Sequence, residues 1–165
     1  MSILHTQFLS EAKTMKISLT TEYGIHALIY LANQSKDEYT LLEDIAKAYP
    51  FSRSYLQKVC QTLARKGILI AHRGVKGGYI LAREPEDLSL REIVEVLEDT
   101  SGLYRCLAYK RQCKMKGTCA ISSVFQEIEE TIYNALEQTK LADLLEASGT
   151  GTYAETVENF HIAKK

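Results

Sequence analysis

No run of about 18 apolar residues occurs in this chain, so no segment is long enough to cross a bilayer as a helix. The first residues, MSILHTQFLSEAKTMK, lack a basic segment followed by an apolar run, the form a secretory signal takes. The expectation is a cytoplasmic protein with no membrane partner. A Gly-rich phosphate loop, a nucleophile elbow and a histidine–carboxylate pair around a cysteine are also missing, and catalysis needs such activated neighbours, so an enzyme is not expected. Internal repeats and long low-complexity tracts are absent. Cysteine is scarce, with four residues in 165, too few for a disulfide framework in a reducing compartment.

One absence is local and points to a function. From Pro50 to Arg83 there is no Asp or Glu, yet the stretch holds seven Lys or Arg (Arg53, Lys58, Arg65, Lys66, Arg73, Lys76, Arg83) in a chain of formal net charge −1. A one-signed patch on a near-neutral protein suits a polyanion docked at one place. Ser52 stands where a helix cap is expected. Leu56, Val59, Leu63 and Ala64 then form one apolar stripe, and the helix is expected to end at Gly67. The opposite face carries Arg53, Ser54, Gln57, Lys58, Gln61 and Arg65, donors and acceptors of the kinds that meet base edges and phosphates in a major groove. ILIAHR, GVKGG and YILAR follow as two β-rich runs around a Gly-rich turn, a hairpin carrying Arg73 and Lys76. Helix, turn, helix and basic hairpin make a winged helix-turn-helix. The candidate DNA-binding residues are Ser52, Arg53, Ser54, Tyr55, Gln57, Lys58 and Arg65 of the helix with Arg73 and Lys76 of the hairpin, acting on a double-stranded, pseudo-palindromic operator.

The rest of the chain is read around this unit. Residues 1–14 have no clear period and read as a flexible extension, with Met15-Lys16 resembling an alternative start. TEYGIHALIYLAN puts Tyr23, Ala27, Tyr30 and Leu31 on one helical face, with Leu28 beside it, and Glu22 and His26 share another face. Thr40 and Glu43 form a capping box for LLEDIAKAY, which Pro50 stops, and Ser89 and Glu92 form a second one for REIVEVLED. Acid dominates around that last helix, which should face away from DNA. Further on, Val124, Phe125, Ile128, Ile132 and Leu136 recur at helical spacing. A helix of about 30 Å carrying that stripe fits a twofold partner, or intramolecular packing.

Cys106, Cys113 and Cys119 are spaced C-x6-C-x5-C and interleaved with Arg105, Lys110, Arg111, Lys114 and Lys116. Thiolates bind soft metals, and nearby cations stabilise them. The loop suits an iron-sulfur cluster, a redox-responsive thiol group or no chemistry at all, and three sulfurs alone would leave a cluster incompletely ligated, hence labile and suited to sensing. Cys60, on the apolar side of the reading helix, is expected to be a buried small hydrophobe.

MKISLTTEYGIHALIYLA, SRSYLQKVCQTLARKGIL, RGVKGGYILAR, the three-cysteine loop and the long helix after it together resemble the Rrf family of bacterial winged-helix repressors, which holds the iron-sulfur regulators IscR and NsrR. The resemblance covers roughly residues 15–145. It implies a homodimeric transcription factor in which Ser52, Ser54 and Gln57 face bases and Arg73 reaches the minor groove. It also implies a cluster on Cys106, Cys113 and Cys119. The IscR-like histidine three residues after the last cysteine is Ser122 here, a poor iron ligand. Other branches take a carboxylate, or a Glu and a His four apart, from the first helix of the other subunit, and Glu22 and His26 match those types and that spacing. The cofactor expected is 2Fe-2S, with 4Fe-4S as the alternative. The function implied is a repressor whose operator affinity follows a cluster sensing iron, redox state or nitric oxide. The alternative is a cluster-free repressor of the cysteine-metabolism type, sensing through thiols or a partner protein.

The fold expected is mainly α with a small β hairpin: a winged helix-turn-helix over residues 15–99, a cysteine loop over 100–119, a dimerisation helix over 120–145, and flexible segments at 1–14 and 146–165.

Overall fold

The computed structural model describes residues 17–49, 51–74, 77–98 and 119–147. Among them no helix is long and apolar enough to cross a membrane. Helix α1 (Leu19–Ala32) begins where Ser18 turns extended and its hydroxyl accepts the Thr21 N–H at 3.3 Å. Ala27, Leu28 and Leu31 are buried as the periodicity predicts, with Tyr23 and Tyr30 half-buried, but Thr21, Gly24 and Ile29 are buried too. The expected single stripe is therefore too narrow. Helix α1 runs through the middle of the domain and meets the helices before and after the wing as well as the wing itself.

Helix α2 (Leu42–Ala48) starts at Leu41, not at the Thr40 capping box expected from the sequence. The backbone of Thr40 is used elsewhere. Its N–H donates to Tyr79 O at 3.0 Å and its carbonyl accepts the Tyr79 N–H at 2.9 Å, so Thr40 pairs with the hairpin. Helix α2 ends with Tyr49 extended at φ −135° and ψ 151°, the region to which the residue before a proline is confined.

Helix α3 (Arg53–Arg65) buries Leu56, Val59, Cys60 and Leu63. Ser52 holds the N-cap position, and its carbonyl accepts from Tyr55 and Leu56 N–H at 3.1 and 2.9 Å. Its hydroxyl makes no capping bond and lies 3.1 Å from Ser54 Oγ instead, which corrects the expected side-chain cap. The far end closes as the sequence predicts. Gly67, at φ 75°, lets its own N–H reach Ala64 O at 3.1 Å and Ile68 N–H reach Leu63 O at 3.0 Å, while Ile68 and Leu63 are both buried.

Strands β1 (Leu69–His72) and β2 (Gly78–Leu81) pair antiparallel, from Leu69 opposite Leu81 to His72 opposite Gly78. A Cβ at Gly78 would lie 2.2 Å from the Thr40 carbonyl oxygen, so this glycine is what allows Thr40 to lie alongside the wing. A 3-10 turn (Pro85–Asp87) leads to α4 (Leu90–Leu97), where the Ser89 hydroxyl accepts the Glu92 N–H at 3.2 Å. The Glu92 carboxylate pairs with Arg83 rather than returning to Ser89, so the second capping box is half made.

The long helix expected over 120–145 is two helices, α5 (Ala120–Gln138) and α6 (Leu141–Ala147). The break falls at Thr139 and Lys140. There Leu90 N–H donates to Thr139 O and Leu141 N–H to Leu88 O, both at 2.9 Å, a backbone bridge to the start of α4. Leu141 is fully buried, so α6 belongs to the head's core.

Glu98 ties the end of α4 to the start of α1: its Oε1 accepts the Ser18 N–H at 2.9 Å and the Thr21 hydroxyl at 2.7 Å. Burial pushes this carboxyl up, but the hydrogen bonds from Thr21 and Ser18 together outweigh it and hold it below the usual carboxylate value. A lowered folded pKa means stabilisation that is present above the unfolded value of about 4 and lost as pH falls through the folded one. Glu98→Gln is therefore expected to cost about 1 kcal/mol at pH 7, a figure discounted for the carboxylate's partial exposure. The gap from the wild type should shrink toward pH 3. Urea unfolding at the two pH values checks this, and a gap that does not change with pH counts against the assignment.

Candidate nucleic-acid interface and metal ligands

The outer face of α3 and the wing enclose an open groove lined by Arg53, Gln57, Lys58 and Gln61 from the helix and by His72 and Arg73 from the hairpin. Arg53, Lys58, Arg65 and Arg73 are exposed and Gln57 is half-buried along this groove, whereas the exposed Ser52, Ser54 and Tyr55 line a second depression with Leu19 and Tyr23 of α1, which Lys58 also borders. Lys76 lies outside the described residues. Among the described residues Lys58, Lys66 and Arg73 have no carboxylate within ion-pair distance. Their positive field is thus not cancelled locally.

Five of the candidates are already engaged within the chain, Ser52 and Ser54 with each other. Arg53 donates to Glu43 Oε1 from Nε at 2.8 Å and from Nη2. The hydrogen bond from this guanidinium holds the Glu43 carboxyl below its usual value. Arg65 donates to Thr62 Oγ1 at 3.0 Å. The Tyr55 hydroxyl sits 2.6 Å from Thr20 Oγ1 on α1, and its ring meets Tyr23 edge-on at 5.2 Å. The seventh cation of the basic stretch, Arg83, pairs with Glu92 of the acidic helix, so it does not join the groove. The sequence marks Glu43 only as a capping-box partner of Thr40 and does not mark Thr20, because each acts on a residue of α3 distant from it in the chain.

The metal candidates divide. Glu22 is exposed in the first turn of α1, and His26 is half-buried one turn later. The His26 ring lies 4.9 Å from Tyr49 and 5.6 Å from Phe51. Burial lowers its pKa from the ordinary imidazole value, with the Glu22 charge acting in the opposite direction. Cys119 is partly exposed at the N-cap of α5. Cys106 and Cys113 lie outside the described residues. Cys60 is buried, as the sequence predicts, and burial pushes its thiol up to about 12, so it stays protonated and is closed to metals. Among the described residues no three His, Cys, Asp or Glu side chains converge on a metal site.

An aromatic stack joins these two regions. Tyr23, between Glu22 and His26 on α1, stacks on Phe51 at 3.8 Å and 17°, and Phe51 stacks on Tyr49 at 5.0 Å. Phe51 lies two residues before α3 begins. The turn of α1 bearing Glu22 and His26 is therefore packed directly against the N-terminus of the reading helix.

A family model described as Rrf2, iron-dependent transcriptional regulator, matches residues 17–147. The chain is 31% identical over 132 residues to the HTH-type transcriptional regulator NsrR of Halalkalibacterium halodurans, a match covering 79% of this chain and 90% of that one. Among solved structures it is similar to T. potens IscR, with a TM-score of 0.66 and 29% identity over 84% of this chain and 91% of that one. It is also similar to CymR, the global cysteine regulator of B. subtilis, with a TM-score of 0.67 and 27% identity over 81% and 98%.

Two substitutions separate the roles available on this surface. Lys58→Ala is expected to weaken binding to all duplexes alike and to reduce the slope of log affinity against log salt by about 0.9. Arg73→Ala is expected to cost about 1–3 kcal/mol, concentrated at A/T-rich minor-groove positions. Salt titrations on duplexes differing only there distinguish the two, and a uniform loss in Arg73→Ala would make it a phosphate contact.

Proposed function

This chain belongs to the Rrf2 family of DNA-binding, winged-helix transcriptional regulators, and we propose that it is a homodimeric repressor whose operator affinity is set by an iron-sulfur cluster. The observation that carries the cluster is the set of thiols. Of four cysteines, Cys60 is buried and protonated, which leaves the C-x6-C-x5-C group of Cys106, Cys113 and Cys119 as the sulfur donors. Cys119 is partly exposed at the start of α5, and Arg105, Lys110, Arg111, Lys114 and Lys116 are interleaved with the three cysteines in the sequence. A fourth donor then comes from the partner subunit's Glu22, with the partner subunit's His26 beside it. The exposed position of Glu22 on α1 leaves its carboxylate accessible to another chain. A bound cluster would supply a redox-active, ligand-exchangeable centre, 2Fe-2S in the first instance and 4Fe-4S as the alternative.

Dimerisation is supported by α5. None of its residues is buried, and Ile121, Val124 and Ile128 remain 56%, 53% and 42% exposed along one side. A helix with that side uncovered fits a twofold partner, and paired reading heads fit a pseudo-palindromic operator. In this reading residues 15–99 are the DNA head, 100–119 the sensing loop and α5 the dimer contact, with α6 returned to the head.

Signal transfer follows from the packing of α1. A change in what Glu22 and His26 hold would shift Tyr23 against Phe51 and re-aim the start of α3. Only a difference in operator affinity between the two states carries information, and such couplings typically amount to about 5–150-fold. The similarity to CymR and the presence of Ser122 rather than a histidine support a second reading, a cluster-free repressor responding through its thiols.

Anaerobic absorbance and Mössbauer spectra decide between them. Cluster bands are expected in the wild type and in Cys60→Ala, to be lost in Cys113→Ala and to be shifted in Glu22→Ala or His26→Ala. A colourless protein that iron and sulfide cannot reconstitute would establish the second reading.

A further inference from the structure

Glu43 is the single carboxylate among the described residues that line the groove between α3 and the wing. A negative charge on a face made for phosphates is costly unless it has a task. Its position limits what that task can be. The residue lies in the first turn of α2 and reaches across to Arg53, the first residue of α3. One of its oxygens accepts both the Nε–H and an Nη2–H of the guanidinium, so the contact is along the side of the fork. An arginine has five N–H donors. With that side occupied, one Nη1 donor and the remaining Nη2 donor at the end of the fork have no partner among the described residues, and this is the edge that bonds guanine O6 and N7 together. Residues at the N-terminus of a reading helix are the ones that meet base edges.

We propose that Glu43 is a positioning residue that holds Arg53 end-on for a guanine in each operator half-site. This inference rests on α3 and the wing being the face that contacts DNA. Without the carboxylate, Arg53 has a long flexible stem and can swing to any phosphate within reach, which keeps affinity but loses the base preference. Glu43 thus acts on selectivity in the direction opposite to its effect on total attraction. Removing it takes a repulsive charge off the face and also takes the aim off the arginine.

The test uses the full-length protein and a duplex selected from a random library by the wild type, with every base pair of one half-site then replaced in turn. Fluorescence anisotropy is read for the wild type, Glu43→Gln, Glu43→Ala, Arg53→Ala and Glu43→Ala/Arg53→Ala. The Glu43 side chain is half-exposed, and circular dichroism verifies that the variants fold. The expected result is a preference of about 5- to 150-fold for one G·C pair in the wild type, the worth of a bidentate base contact. That preference should fall to near unity in Arg53→Ala and Glu43→Ala, and partway in Glu43→Gln. The double variant should be no less selective than Arg53→Ala, while both Glu43 variants hold unrelated DNA as tightly as the wild type or more tightly. The proposal is overturned if the Glu43 variants tighten all duplexes equally and keep every base preference, because the carboxylate is then only repulsive. It is also overturned if Arg53→Ala keeps all preferences while Lys58→Ala and Arg73→Ala weaken binding, an outcome that leaves the DNA face intact. If none of these cations matters, the DNA face itself is misassigned and the proposal fails with it.

Discussion

Burial of α1 on nearly every side is the constraint from which the rest of the domain follows. Ala27 and Leu28 are fully enclosed, and a Cβ at Gly24 would meet Leu97 of α4 and come within 3.5 Å of Val59 of α3. A helix so enclosed cannot shift without moving its neighbours, because packed interiors transmit displacement rather than absorb it. The two ends of α1 are accordingly fixed by different means. Glu98 accepts hydrogen bonds at its N-terminus, and Asn33 closes its C-terminus by donating from Nδ2 to Ile29 O at 2.9 Å. Between them lie the exposed Glu22 and half-buried His26, in the turn whose Tyr23 stacks on Phe51 just before α3.

Charge is sorted by the same packing. The groove side of the head carries Lys58 and Arg73 with no acidic neighbour at ion-pair distance among the described residues, whereas the α4 side concentrates Glu92, Glu95 and Glu137 around Arg83 and Arg91. Arg91 also lies over the Tyr133 ring at 5.1 Å, which fastens α5 to α4 through one side chain. A polyanion approaching this protein is therefore oriented by the field before any contact forms.

The reading helix, the wing and the start of α4 were legible because each is written in local chemistry. Charge of one sign, an apolar stripe at helical spacing, Gly67 at a left-handed stop and Ser89 at a cap all act within a few residues of where they stand. Thr40, Glu43 and Lys140 were not legible for the opposite reason. Thr40 follows a capping pattern, yet its backbone is bonded to Tyr79, 39 positions later. The break at Thr139 and Lys140 contains neither Gly nor Pro and coincides with a bridge from Lys140 to Ser89, about 50 positions earlier in the chain. The candidate metal site was readable as a donor set, C-x6-C-x5-C with Glu22 and His26, but spacing alone carries no geometry. Two of its cysteines lie outside the described residues.

The return of the chain at Leu141 has a bearing on synthesis. Proteins leave the ribosome from the N-terminus, and domains generally fold as units during that process. Here the side chain that fills the last place in the head's core, Leu141, comes after α5, 44 residues beyond Leu97 at the end of α4. A nascent chain, or a fragment ending after the wing, has its basic face but lacks the residue that closes the core behind it. By the time a head can mature, the helix bearing the uncovered Ile121, Val124 and Ile128 has already been made. Order of synthesis thus works against immature heads binding DNA ahead of finished molecules.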